Sequence, residues 1–313
     1  MSGRVCRNDN AVSWMAKGCD KTADAEMMMN NARPQKHGEG RDSHEPMILR
    51  GGWIVDPVLG LDGVADIGIA DGQFVEPAEL EHATVVDVTG CVVAPGFIDV
   101  HVHLRDPGQT HKEDIYSGAA AAAAGGFTTI VSMPNTEPVC DSPESIRQLL
   151  SRGALQEGAD IRVAGALTEG RQGRVVVNAA AMADAGAVAL TDDGGCIQDN
   201  RTMLTAVLAA KAAGVAVLDH CEDYSLSNNG LVNEGPVAES LSVPGQSPLS
   251  EEIVVARDIA LARYSQWPVH IQHVSTAGSV ALLRCAKREG INVTAEVTPH
   301  HLTLTQDDCR RYG

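Results

Sequence analysis

Residues 97–103 read Phe-Ile-Asp-Val-His-Val-His, an apolar stretch that ends in two histidines. The stretch predicts a strand, and side chains two positions apart in a strand point to the same side. His101 and His103 therefore share one face. Two imidazoles on one face can bind one metal ion, although the same pair can also be polar strand residues without a ligand.

The same kind of apolar run recurs after Pro95, and Ala-rich, helix-forming segments separate the runs. Strands are expected at 97–103, 128–133, 161–166, 187–190, 215–219, 269–273 and 293–297. Helices are expected at 117–124, from 142 onward, and at 178–185, 201–213, 251–264 and 279–289, the second with Ser142 as its cap and Pro143 in its first turn. This alternation implies parallel strands with right-handed crossovers. Seven units in about 220 residues predict an α/β fold, a (β/α)8 barrel over residues 95–313 that lacks its last strand.

The chain before the barrel has a different pattern. Residues 47–94 contain short β-like runs, and Asp71-Gly72 between two of them predicts a tight hairpin. We expect a small β domain there, part of a sandwich that needs further strands. Residues 1–46 are polar without any period and are expected to form a disordered extension.

Composition excludes several classes of protein. The 41 acidic and 24 basic residues give a formal net charge of -17, which disfavours binding to nucleic acid. No segment approaches the roughly 20 apolar residues of a membrane span. The eight cysteines are scattered without a CxxC pair, and no secretory signal is apparent, so we expect a reducing, cytoplasmic location. Aromatic residues make up only 3%, so the core must be aliphatic.

Further metal-capable residues lie at the carboxyl ends of other predicted strands, in the segments Thr191-Asp192-Asp193, Asp219-His220-Cys221 and Gln272-His273. A (β/α)8 enzyme places its site at the carboxyl ends of its strands, so these side chains should meet the first two histidines there. Four histidines and a carboxylate exceed what one ion normally takes, which favours two metal ions bridged by the carboxylate. Such a centre suits hydrolysis or closure of an amide-like bond.

Two polar residues beside these ligands are candidates for substrate binding. Arg105 can hold a carboxylate through two parallel hydrogen bonds, or it can be a surface charge. Asn135 can donate to the same carboxylate, or it can hold a turn. Cys221, next to His220, is interpreted as a small buried thiol rather than a ligand.

These segments together resemble the bacterial type of dihydroorotase, a member of the amidohydrolase superfamily. The resemblance covers roughly residues 47 to 313 and rests on motifs at 101–108, 125–129, 133–136, 191–194, 219–222, 273–276 and 298–302. It implies a metal-dependent hydrolase barrel beside a small β domain. It also implies the reversible cyclisation of N-carbamoyl-L-aspartate to dihydroorotate and water, a step of pyrimidine (UMP) synthesis.

The resemblance also implies roles for individual residues. It assigns five ligands to two zinc ions, namely His101 and His103 for the first, His220 and His273 for the second, and Asp193 as the bridge. Asp192 is the less favoured bridge. The resemblance assigns the substrate to His103, Arg105 and Asn135. Related hydantoinases and allantoinases bridge their metals with a carboxylated lysine, but no lysine lies between Lys112 and Lys211 here.

One expected element is missing from the sequence. The resembled family takes its general base from an Asp after the eighth strand, and this position would lie beyond Gly313. We therefore assign no catalytic base within the chain and expect it to be truncated at its C-terminus. The alternative is a non-catalytic dihydroorotase-like subunit that supports aspartate carbamoyltransferase. That transferase and a second copy of the chain are the candidate protein partners.

Overall fold

The structure is a computed structural model that describes residues 14–17 and 45–312. The chain divides into two compact units. The first unit contains the chain up to Asp99, together with Ala119–Ile130 and Glu157–Asp160. The second unit contains Val100–Gly118, Val131–Gln156 and the chain from Ile161 onward. The prediction of a disordered extension over residues 1–46 falls outside the described residues except at 14–17 and 45–46, and it stays a prediction.

The first unit is built on a six-stranded sheet. Its strands are β1 (Trp14–Lys17), β2 (Met47–Asp56), β3 (Leu61–Ala70), β4 (Gln73–Val75), β5 (Thr84–Asp87) and β6 (Val92–Pro95). They pair in the order β1-β6-β2-β3-β4, with β5 beside β2. The buried side chains of Val88, Cys91 and Val93 form a small core in this unit.

The hairpin predicted at Asp71-Gly72 is confirmed. Strands β3 and β4 are antiparallel, and Ala70 pairs with Gln73 across the turn. Both turn residues adopt left-handed backbone angles, with φ of 50° at Asp71 and 70° at Gly72. A two-residue turn with positive φ at both positions matches the twist of the strands that it joins, and Asp-Gly suits it.

A seven-stranded sheet carries the predicted α/β repeat. The later strands are β7 (Phe97–Val102), β8 (Phe127–Ser132), β9 (Asp160–Gly165), β10 (Ala187–Leu190), β11 (Ala216–Asp219), β12 (Val232–Asn233), β13 (Gly245–Gln246), β14 (Val269–Ile271) and β15 (Val293–Ala295). The sheet order is β15-β14-β11-β10-β9-β8-β7, and β12 pairs with β13 apart from it. The four ladders from β9 to β15 are parallel. All seven predicted strands are therefore present and ordered as in the sequence.

Helices connect the strands of this sheet as expected. They are α1 (Ile115–Gly125), α2 (Pro143–Gly153), α3 (Ala179–Asp184), α4 (Asn200–Ala213), α5 (Tyr224–Ser227), α6 (Pro236–Leu241), α7 (Leu249–Ser265), α8 (Ala277–Arg288), α9 (Pro299–Thr303) and α10 (Cys309–Tyr312). The Ser142 side chain accepts a hydrogen bond from the Ser145 N–H and caps α2, with Pro143 in the first turn. The elements between β11 and α7 were not predicted. Within the described chain, none of the helices has the length and apolar character needed to cross a membrane.

A buried aliphatic cluster lies on one face of the seven-stranded sheet. Its members come from four neighbouring strands and are Val131, Met133, Ala164, Ala189 and Leu218. Because the strands run parallel from β9 onward, their carboxyl ends reach the same edge of the sheet. Polar residues that follow these ends are therefore gathered at one edge.

Candidate metal centre

All five predicted ligands meet at that edge. His101 lies in β7 and His103 just after it, while Asp193, His220 and His273 follow the ends of β10, β11 and β14. They form two groups, each with its ligand atoms within 4.8 Å of one another, and Asp193 belongs to both.

The Asp193 carboxylate lies between two pairs of imidazoles. Its Oδ2 is 3.3 Å from Nε2 of both His101 and His103. Its Oδ1 is 3.6 Å from Nδ1 of His220 and 3.5 Å from Nε2 of His273. Each carboxylate oxygen thus faces one pair, which is the arrangement expected of a bridging ligand.

The donor set fits metal ions. Asp193 Oδ2 is buried and accepts no hydrogen bond within the described structure. A buried carboxylate oxygen without a donor is unfavourable unless a cation compensates it. Four imidazoles and one carboxylate are ligands that zinc and similar first-row ions accept.

The first pair of histidines is held by hydrogen bonds on the far side of each ring. His101 Nδ1 contacts the Glu296 carboxylate. His103 Nδ1 lies 2.9 Å from Asn135 Oδ1, which can only accept, so Nδ1 carries the proton. These contacts fix the tautomer that leaves Nε2 of each ring directed at Asp193.

In the second pair, the His220 ring is turned the other way, so that its outer nitrogen is Nε2. His220 Nε2 lies 3.2 Å from Glu222 Oε2, so the nitrogen that faces Asp193 is Nδ1. His220 Nδ1 is also 2.9 Å from His273 Nε2, and the two nitrogens converge on one point. The backbone of His273 is left-handed, with φ of 34°, a strained conformation that tends to occur at functional sites.

The charges of the cluster reinforce one another. Burial alone would lower the pKa of His101, but its contacts with Asp193 and Glu296 raise the pKa to about 9. Burial acts in the same way on His220, and contacts with Asp193 and Glu222 raise its pKa to about 9. Burial would raise the pKa of Asp193, yet the surrounding imidazoles hold it well below its usual range. The imidazoles thus favour the ionised form of the Asp193 carboxylate.

Asp192 has a different environment from Asp193. Its Oδ1 accepts hydrogen bonds from the backbone N–H groups of Leu167 and Thr168, at 2.9 and 3.0 Å, and its Oδ2 contacts the Thr168 hydroxyl. Asp192 therefore ties β10 to the turn after β9. The structure places Asp193, and not Asp192, among the imidazoles.

The predicted substrate residues lie beside the first pair of histidines. Arg105 is half-buried, adopts a left-handed φ of 58° and has no carboxylate partner among the described residues. The following residue, Asp106, is buried and forms a two-pronged ion pair with Arg152, with both N···O distances 2.6 Å. This pair anchors the loop that carries Arg105. Asn135 contacts His103 through its oxygen, and its amide nitrogen remains to donate to a ligand.

Sequence reasoning missed the residues behind the ligands. Glu296 is not among the predicted site residues, although it follows β15 at the same edge as the ligands. Gln272 was noted only as a neighbour of His273; its Nε2 lies 3.1 Å from His101 Nδ1, and its Oε1 accepts a hydrogen bond from the Thr191 hydroxyl. The only signal for either residue is its position near the carboxyl end of a predicted strand, 293–297 for Glu296 and 269–273 for Gln272.

A third group of metal-capable residues, Asp219, Cys221 and Asp258, is buried behind the centre. The Arg257 guanidinium occupies it, with Nη2 2.7 Å from Asp219 Oδ2 and Nε 2.8 Å from Asp258 Oδ1. Burial raises the pKa of the Cys221 thiol, whose Sγ lies 3.5 Å from Asp258. The cation in this group is therefore an arginine, and Cys221 is a buried thiol as interpreted from the sequence.

Comparison with known proteins assigns the family. The model of the dihydro-orotase-like family matches residues 90–279. The chain belongs to this family. It is 42% identical over 272 residues to the dihydroorotase of Thermus aquaticus and 40% identical over 270 residues to that of Aquifex aeolicus. Each match covers 85% of the chain and 64% of the relative, so the chain spans somewhat less than two thirds of the length of these relatives.

Solved structures support the predicted barrel. L-Hydantoinase from Arthrobacter aurescens matches with a TM-score of 0.70 at 21% identity, over 85% of this chain and 61% of that one. D-Hydantoinase from a Bacillus species matches with a TM-score of 0.65 at 24% identity, over 83% and 59%. These similarities confirm the predicted α/β barrel fold. Members of the dihydro-orotase-like family are generally metal-dependent, in keeping with the two ligand groups found here.

Proposed function

We propose that the protein is a dihydroorotase, a cyclic amide hydrolase that interconverts N-carbamoyl-L-aspartate and dihydroorotate with two zinc ions. The observation that carries this proposal is the Asp193 carboxylate, which faces one pair of imidazoles with each oxygen. The family assignment supports this choice of reaction, since the curated relatives of the chain are dihydroorotases at about 40% identity.

The five clustered residues would hold the ions. His101, His103 and Asp193 form the first group, and Asp193, His220 and His273 form the second. When bound, such ions polarise a carbonyl group and make a water molecule more acidic. We assign the general base to no residue of this chain.

The residues around the ions orient the reacting groups. Glu296 and Asn135 hold the rings of the first pair of histidines through their outer nitrogens. Arg105, which has no carboxylate partner in the described chain, binds the free carboxylate of the substrate through its planar guanidinium. The amide nitrogen of Asn135 donates to the same carboxylate, and His103 borders it.

The remaining features of the proposal concern location and partners. The substrate is a small anion, and we expect the reaction to take place in the cytoplasm. Aspartate carbamoyltransferase and a second copy of the chain are the proposed protein partners. The non-catalytic alternative is less favoured, since a scaffold has no need for five converging ligands.

The test is a dihydroorotate-hydrolysis assay on the complete gene product with zinc supplied, together with measurement of its zinc content. We expect turnover in the wild type, and D193N should lose both bound zinc and activity because it removes the bridging charge. His111 is exposed and belongs to neither ligand group, so H111Q is the control variant and should retain both. A zinc-loaded wild-type protein without turnover in either direction contradicts the proposal.

A further inference from the structure

Arg171 is a second arginine at the ligand edge that has no assigned role. It closes the short 3-10 turn Glu169–Arg171, which follows β9. The side chain is half-buried, and its Nε donates to the Asp192 carbonyl oxygen at 3.4 Å. In the part of the chain that the structure describes, no carboxylate forms an ion pair with this guanidinium. The nearby Asp192 carboxylate attracts the guanidinium but forms no ion pair with it, so the half-buried cation can still pair with an anionic ligand.

The backbone of Arg171 is fixed to the strand end that carries the bridging carboxylate. Its φ is 57°, a left-handed conformation that is unfavourable for arginine and persists only where the surroundings impose it. Its N–H donates to the Thr168 carbonyl at 2.9 Å. Thr168 is bonded in turn to the buried Asp192 carboxylate. The turn is therefore held in place next to Asp193 rather than left free to move.

Gly194 shows where the guanidinium lies. A Cβ at Gly194 would be 2.9 Å from Arg171 Nη2 and 3.5 Å from Asn135 Nδ2. Both donors thus face the same space beside Asp193, which stays open because residue 194 has no side chain. The oxygen of Asn135 is already bonded to His103, so its free nitrogen and Nη2 of Arg171 converge as donors.

We propose that Arg171 is a further substrate-binding residue that acts with Asn135 on an anionic oxygen of the open-chain ureido dicarboxylate. This inference rests on the proposed function. N-carbamoyl-L-aspartate carries two carboxylates, whereas dihydroorotate carries one. A second guanidinium, beside Gly194 and Asn135, therefore favours the dianionic open-chain compound over the monoanionic ring, because the attraction scales with the charge of the ligand. Arg171 determines specificity for the open-chain form within a chain whose net charge is -17.

The test compares R171Q with R174Q in the metal-loaded, full-length protein. Arg174 lies in the same loop but is exposed, so R174Q removes an equal charge away from the site. We expect R171Q to raise the KM for N-carbamoyl-L-aspartate about tenfold or more, as the loss of a charged hydrogen bond does. The KM for dihydroorotate should rise by a smaller factor, and R174Q should leave both values unchanged. Metal content and melting temperature should stay at the wild-type values in both variants.

Several outcomes overturn the proposal. An unchanged KM in R171Q, an equal rise for both substrates, or an equal effect of R174Q would each remove the specific role. A loss of bound metal or a lower melting temperature in R171Q, without rescue of the KM by R171K, would show a structural role instead. Measurements on the wild type distinguish this inference from the proposed function. If the wild type turns over neither compound, the proposed function and the role of Arg171 are both refuted. If the wild type is active and R171Q has a normal KM, only the role of Arg171 is refuted.

Discussion

Replacing Glu296 with glutamine should weaken metal binding by the first pair of histidines. The Glu296 side chain is 17% exposed, and its carboxylate contacts His101 Nδ1 and lies 3.1 Å from His270 Nε2. Oε1 is also 3.3 Å from the backbone nitrogen of His273. Glutamine keeps the shape but removes the charge, and with it the charge-assisted hydrogen bond that makes the His101 ring a better ligand.

The size of the effect depends on pH. Loss of a residue that supports a ligand typically costs 10- to 100-fold in metal affinity, or about 1.4 to 2.7 kcal/mol. Glu296 has a pKa lowered to about 2, since its contacts with His101 and His270 outweigh burial, so it is ionised at both pH 7 and pH 9. His101 has a pKa of about 9, and at pH 7 a proton competes with the metal by roughly 100-fold. E296Q also lowers the pKa of His101 and so weakens this competition at pH 7, which offsets part of the lost metal affinity. The net loss in metal affinity should therefore be larger at pH 9 than at pH 7.

The assay is a competition titration of the metal-free, full-length protein against a zinc chelator at both pH values. E222Q is the matched variant, because Glu222 supports His220 of the second pair at 3.2 Å. E296Q should weaken one ion and E222Q the other. The reasoning is refuted if E296Q binds both ions as tightly as the wild type at pH 9, or if both variants weaken the same ion.

Four further predictions follow from the buried charges and from metal binding. Zinc binding at pH 7 should release about two protons, because His101 and His220 have pKa values near 9 and bind metal only when neutral; calorimetry in buffers of different ionisation enthalpy measures the number. For the same reason the metal-free protein should lose stability as pH rises from about 6.5 to 9, while zinc affinity increases; thermal unfolding follows the first trend. Chelation should lower the melting temperature of the zinc-loaded protein at pH 8, since ions that bind only the folded state stabilise it. R257M should reduce the free energy of unfolding by about 3 to 5 kcal/mol in a urea titration, because it leaves the carboxylates of Asp219 and Asp258 buried without their cation.

Controls make these predictions specific. R263M removes an arginine from the same helix, but the Arg263–Glu289 pair is about half exposed and should contribute less than about 1 kcal/mol. Equal destabilisation by R257M and R263M would contradict the importance of the buried network. A proton release near zero at pH 7 would show that the two histidines are neutral in the metal-free protein. A melting temperature that chelation leaves unchanged would show that the ions do not stabilise the fold.

The sheet and the ligand cluster could be predicted because both depend on local periodicity. The apolar run at 97–103 determines the direction of His101 and His103, and every other ligand lies one to three residues after the end of a strand. Once the strands are parallel and consecutive, the ends of these runs meet at one edge. The choice of Asp193 over Asp192 came from the family resemblance, since neither spacing nor composition distinguishes adjacent carboxylates.

Other parts could not be predicted from the sequence. The contact between Glu296 and His101 joins residues 195 positions apart, and it depends on side-chain directions that no periodic pattern encodes. The elements between β11 and α7 are two to six residues long, too short to show a helical or strand period. The role of Arg257 was missed because a buried arginine has the same sequence signature as an exposed one.

The ligands of the centre are spread over 172 positions, from His101 to His273. At a synthesis rate of 5 to 20 residues per second, the last ligand is made roughly 10 to 35 s after the first. The pair His101 and His103 exists early, but the bridge and the second pair arrive only as each successive strand is added to the sheet. Binding of both ions is therefore a late step in the synthesis of the chain. Occupancy of both sites marks a polypeptide whose sheet has been assembled in the right order as far as β14.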